Sequence, residues 1–251
     1  MTRPLVIAHR GYSARYTENT FTAYQAAISA GVDLVESDAR LSKDGVVWSC
    51  HDATLERLTG DKRAIANLTS AELAGIALPG NERLVMLRDV LAQIALERKV
   101  LIDVKTVGFD LIDAIIRDVT ETRAQDRVWI GMRSPDQMRR ARILEPRLSL
   151  LAFLPDYTLA NAFESAGAAA LRVWEGDLGR PEVAALLNKR QVWVTTGGRG
   201  TQMEVGDTTP QRLRRILDHK PGAILLNDPL MLAGMARMPE LGDGKAGLRH
   251  E

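Results

Sequence analysis

The stretch "LVIAHRGYSARYTENTFTAYQAAISAGVDLVESDAR", Leu5 to Arg40, holds two short apolar runs on either side of an amphipathic segment. Leu5–His9 and Asp33–Asp38 have the length of buried strands. Between them, Thr20 or Asn19 can cap a helix that runs through Tyr24 and Ile28 and ends near Gly31. The alternation continues: strands are predicted at Val100–Val104, Arg127–Met132, Leu148–Phe153, Ala169–Trp174, Val192–Thr196 and Gly222–Leu226. Helical stripes follow them, for example Leu111, Ile112, Ile115, Ile116 and Val119. Eight βα pairs predict an α/β fold of the (β/α)8 TIM-barrel type, with a doubly wound open sheet as the alternative.

One segment breaks the rhythm. About forty residues separate the second strand from its helix at Leu87. They contain the strand-like "GVVWSCHD" and the helical "LTSAELAGI", with Thr69 or Ser70 as cap and Glu72 in the first turn. The predicted organisation is a single domain over 1–238, with an insertion at about 45–86 covering the barrel mouth, and a loose, Gly-rich, charged tail at 239–251.

Thirty-three basic residues against 32 acidic give a net charge of +1, so no whole-molecule field draws in nucleic acid or an anionic membrane. A single cysteine, Cys50, excludes an internal disulfide and a Cys-rich zinc site, and reads as an inert buried thiol. No run approaches the roughly 20 apolar residues that span a bilayer, and the N-terminal run is too short for a signal-peptide core. The expectation is a soluble, cytoplasmic protein without stable membrane insertion; nothing in the sequence sets its oligomeric state.

Side chains at i and i+2 of a strand share a face, so Glu36 and Asp38 point together, as do Asp103 and Lys105. At the C-terminal ends of barrel strands they converge where active sites of this fold lie. Three carboxylates this close repel unless a cation sits among them, and all-oxygen ligation favours Mg or Ca, with Mn also suited. His9 and His51 each follow an apolar strand, and a pair of imidazoles suits acid–base work near neutral pH. Arg10 and Lys105 supply charge for holding a phosphate. His219 and His250 read as structural.

The segments "AHRG", "ENTFTAY", "GVDLVESDARLSKDGVVWSCHDATLERLTG" and "DVK" resemble, in order and spacing, the glycerophosphodiester phosphodiesterase family. The dense match covers Ala8 to Gly60. The resemblance implies a metal-dependent TIM-barrel hydrolase that converts a small-molecule phosphodiester to glycerol 3-phosphate and an alcohol. It implies His9 and His51 as the catalytic pair, Glu36, Asp38 and Asp103 as metal ligands, and Arg10 and Lys105 as phosphate contacts. Which histidine is acid and which base stays open.

Four positions depart from the family pattern. Asp103 stands where Glu is usual, Asn227 where Asp is usual, Thr17 where Pro is common, and "VWVTTGG" replaces W-T-V-N around Trp193. Arg133, Trp174, Glu175, Trp193 and Asn227 are the further candidates for substrate contact. These departures point to a head group other than the common ones. The alternatives are a diesterase of a sugar head group, a lysophospholipase D-like or sphingomyelinase D-like enzyme, and a catalytically silent phosphate-binding relative.

Overall fold

The computed structural model describes residues 3–235; His250 and the predicted tail at 239–251 lie outside the described residues. The eight barrel strands are β1 (Leu5–Ala8), β2 (Leu34–Leu41), β3 (Lys99–Val104), β4 (Val128–Met132), β5 (Ser149–Phe153), β6 (Ala170–Trp174), β7 (Val192–Thr195) and β8 (Ala223–Leu226). Each pairs in parallel with the next, and β8 pairs back onto β1, so the sheet closes into a barrel. Closure removes the free edges that the open-sheet alternative would keep.

Outside the strands run α1 (Phe21–Ser29), α2 (Leu87–Glu97), α3 (Phe109–Glu121), α4 (Pro135–Leu144), α5 (Ala160–Ser165), α6 (Pro181–Leu187), α7 (Pro210–Asp218) and α8 (Leu230–Met235). Thr20, one of the two predicted caps, accepts from the Ala23 amide at 3.3 Å and starts α1. Proline opens α4, α6 and α7, where its missing N–H costs nothing.

The two-residue period of the strands divides their side chains. One set, including Val35, Ile102 and Leu150, packs outward under the helices. The other fills the barrel with Ile7, Leu34, Leu101, Leu151, Phe153 and Trp193. Gly131 on β4 makes this filling possible: a Cβ there would come within 2.3 Å of the Phe153 ring. Two steps towards the C-terminal ends, the inward positions turn polar, with Glu36 and Asp38 after Leu34 and Asp103 after Leu101.

Val47–Ser49 pairs antiparallel with the end of β2, and two short hairpins and the helix Ser70–Ala74 follow. That helix carries the predicted Thr69–Glu72 capping box. The segment has a small core of its own around Trp48, Leu55, Ile65 and Leu73. Among the described residues, the segment contributes one residue to the cavity lining, His51, and forms a side wall there.

Candidate active site

A cavity of about 160 Å³ opens at the C-terminal ends of the strands. It brings together His9, Arg10, Glu36, His51, Asp103 and Lys105, which the sequence separates by almost a hundred residues. Arg133 and Trp174 line it as well.

Glu36, Asp38 and Asp103 are all buried, and one oxygen from each lies within 4.8 Å of the others. Burial, followed by the Asp38 and Asp103 charges, pushes the Glu36 carboxyl well above its ordinary range. Burial disfavours the Asp38 charge too, but Lys105 and Arg10 outweigh it and hold that carboxyl well below its ordinary range. The contacts are close: Lys105 Nζ is 2.7 Å from Asp38 and 2.6 Å from Asp103. Asn19 fixes Asp38 from the other side, donating from Nδ2 at 2.8 Å and accepting the Asp38 amide at 3.1 Å. An all-oxygen cluster whose one weakly compensated member is driven towards its protonated form fits a hard divalent cation.

His9 is buried, and its Nδ1 lies 2.7 Å from Asn227 Oδ1. Burial, then the Arg10 charge, lowers its pKa to about 4. His51 is more open and sets Nδ1 against Asp52 at 2.7 Å. Burial and Lys105 lower its pKa, while Asp52 opposes the shift. With both Nδ1 atoms engaged, the Nε2 atoms are the ones left to act in the cavity.

A scan against family models matches residues 9–186 to the glycerophosphoryl diester phosphodiesterase family. The chain belongs to this family. A glycerophosphodiester phosphodiesterase of Caldanaerobacter subterraneus subsp. tengcongensis is 28% identical over 160 residues, 59% of this chain and 65% of the relative. The match therefore spans just under two thirds of that relative's length. Among solved structures, a putative glycerophosphodiester phosphodiesterase from Galdieria sulphuraria superposes with a TM-score of 0.80 at 17% identity, covering 92% of this chain and 97% of its own. A phosphodiesterase from Oleispira antarctica, solved in complex with the product sn-glycerol-3-phosphate, gives 0.79 at 20% identity, covering 94% and 98%.

Within this family frame, the other predicted contacts sort themselves out. Arg133 lines the cavity, but its guanidinium grips Asp103 through Nη1 at 2.5 Å and Nη2 at 3.0 Å, a bidentate pair. Trp174 lines the cavity. Trp193 does not: it is 1% exposed in the barrel interior, with its ring 4.5 Å from that of Trp129. Glu175, a candidate for substrate contact, is not on the cavity lining but is a buried tie between the Gly197 amide and Arg212. Asn227 stays off the cavity lining and works through His9.

Three further residues emerge with the fold. Glu18, from the "ENT" segment, accepts from Arg10 at 3.1 Å and from Arg57 at 2.6 Å, while Arg57 also holds Asp52 at 2.5 Å. This chain of charges fastens the side wall and His51 to the first strand. Thr17 adds a second fastening by donating to the Pro79 carbonyl at 2.9 Å. The third residue is Arg172, buried on β6 with its side chain on the cavity.

Proposed function

We propose that the domain at 1–238 hydrolyses a glycerophosphodiester to glycerol 3-phosphate and an alcohol, with His9 as general base and His51 as general acid. The observation that carries this reading is the pair of imidazoles on one cavity with different partners. His9 is buried, with its pKa lowered to about 4, and so is neutral at working pH, ready to accept a proton at Nε2 from the attacking water, or from the glycerol's own neighbouring hydroxyl with water then opening the cyclic phosphate. His51 is backed by the Asp52 carboxylate, which works against the lowering by burial and Lys105 and so favours an imidazolium able to protonate the departing alkoxide. Arg10 and Lys105 orient the phosphoryl oxygens.

Glu36, Asp38 and Asp103 are the residues that would hold a divalent cation, Mg or Ca by donor type, with Mn also suited. When bound, such an ion polarises a phosphoryl oxygen as a Lewis acid. Among the described residues, no helix is long and apolar enough to cross a membrane. Our reading places the reaction in the cytoplasm, in the turnover of glycerolipid head groups. The test is phosphorus NMR of a glycerophosphodiester incubated with protein and Mg, where the diester resonance is replaced by that of glycerol 3-phosphate. A persistent diester signal with Mg, Ca and Mn alike would sink the proposal.

One observation favours a second reading. The grip of Arg133 and Lys105 on Asp103 suits a phosphate-binding relative without turnover. Tight binding of inorganic phosphate by a protein that hydrolyses no diester would select it.

A further inference from the structure

Arg172 stands apart from every other cation of the site. Arg10 is paired with Glu18 and Asp38, Lys105 with Asp38 and Asp103, and Arg133 with Asp103. Arg172 is 8% exposed, yet its Nε and Nη1 find no hydrogen-bond partner among the described residues. Burial, then the nearby Arg133 charge, lowers its pKa only to about 10, so it remains a cation at neutral pH. A buried guanidinium without an acid is costly unless something else compensates it.

Part of the compensation is aromatic. The Arg172 Cζ lies 4.0 Å from the Trp174 ring centroid and 4.9 Å from that of Phe153, and Arg133 lies 4.7 Å from Phe153. Stacking of this kind satisfies the faces of a guanidinium and leaves its in-plane N–H groups unmet. The side chain belongs to the cavity wall, so those donors border the space a substrate would fill.

Its position in the barrel separates it from the phosphoryl machinery. Following the strand order around the ring, β6 lies opposite β2, which carries Glu36 and Asp38. A diester brings one negative charge, and Arg10 beyond β1 and Lys105 beyond β3 already flank the acidic cluster on β2 and β3. The cation on the far wall has no counterpart in that charge.

We infer that Arg172, seated on Trp174 and Phe153 beside Arg133, receives a second anionic group of the substrate. The preferred diester then carries a carboxylate or a phosphate monoester on one of its alcohol portions. The inference rests on the diesterase reading above and names the substrate class of that same site. The same guanidinium disfavours a quaternary ammonium, which separates this site from one built for choline-bearing lipids.

The experiment measures kcat/KM with Mg for four diesters of glycerol phosphate: those with glycolate, with glycerol monophosphate, with glycerol and with choline. Wild type prefers at least one of the two anionic diesters to the neutral one by about tenfold or more, and the choline diester ranks last. In Arg172→Gln that anionic-to-neutral ratio falls by about ten- to a hundredfold. Arg172→Lys, which keeps a charge but loses the fork, gives an intermediate ratio and carries the comparison should the Gln variant not fold. The glycolate and monophosphate arms tell a carboxylate from a phosphate. Turnover of the neutral diester without anionic preference, or an unchanged ratio in the variants, overturns this inference alone. No turnover of any of the four overturns it together with the diesterase reading.

Discussion

Asn227 holds His9 in one tautomer: its Oδ1 sits 2.7 Å from Nδ1, while its Nδ2 donates to the Val205 carbonyl at 3.0 Å and to Asp207 at 2.8 Å. With its amide nitrogen so occupied, Asn227 can only accept from the ring, which puts the His9 proton on Nδ1 and the lone pair on Nε2. A carboxylate in the same place would stabilise imidazolium instead. Asn227→Asp is therefore expected to raise the acid limb of the kcat/KM–pH profile by about one unit or more. A limb that stays in place contradicts the assignment of His9 as the base.

Gly206 packs against this pair so closely that a Cβ would come within 2.1 Å of Asn227 Oδ1 and 2.6 Å of His9 Nδ1, at a φ of 90°. Gly206→Ala should displace the imidazole by a fraction of an ångström or more. The predicted loss in kcat is about a hundredfold, the cost of misplacing a reacting group. Retention of full activity, with a wild-type fold by circular dichroism, would show that the lock does not position the base.

His9 titrates at about 4 in the folded protein against 6.5 when free. Between those values the unfolded chain binds a proton that the folded chain refuses, so stability is full above 6.5 and declines as pH falls towards 4. The contribution is about 3 kcal/mol, at 1.36 kcal/mol per unit. Urea unfolding at pH 7 and pH 4 should show a smaller loss for His9→Asn than for wild type. Equal losses would contradict the burial argument.

Glu36 has the opposite sign. Its carboxyl is raised, so the metal-free protein keeps this stabilisation at low pH and loses it as pH rises through the folded value. A divalent cation replaces the proton, and the thermal shift that Mg or Ca produces should grow with pH. At a hundredfold excess over Kd the gain is about 2.7 kcal/mol. Glu36→Gln should abolish it. A pH-independent shift, or one that survives in Glu36→Gln, would place the ion elsewhere.

Much of this arrangement is visible in the sequence because strand periodicity converts spacing into direction. Glu36 and Asp38, Asp103 and Lys105, and the histidines after two apolar runs all reach the cavity or its acidic cluster as their positions in the strands imply. What the sequence hides depends on register between strands. Arg172 reads as an interruption in "ALRVW"; only its pairing opposite Phe153 and Trp193 turns it inward beneath the mouth. Trp193 shares that inward face but sits one layer too deep, against Trp129. Glu175 is buried by Arg212, thirty-seven residues later in the chain, a contact no local pattern announces. Glu18 gains its bridging role only when the side wall brings Arg57 to it.

The central claim is that His9 and His51 together cleave a phosphodiester at the Glu36–Asp38–Asp103 site, and its most direct test is initial-rate release of glycerol 3-phosphate from a glycerophosphodiester. Wild type with Mg should release it, EDTA should stop the release, and His9→Ala and His51→Ala should each lose at least about a hundredfold. Undiminished release by either alanine variant, or no release by wild type with any of the three cations, would contradict the account.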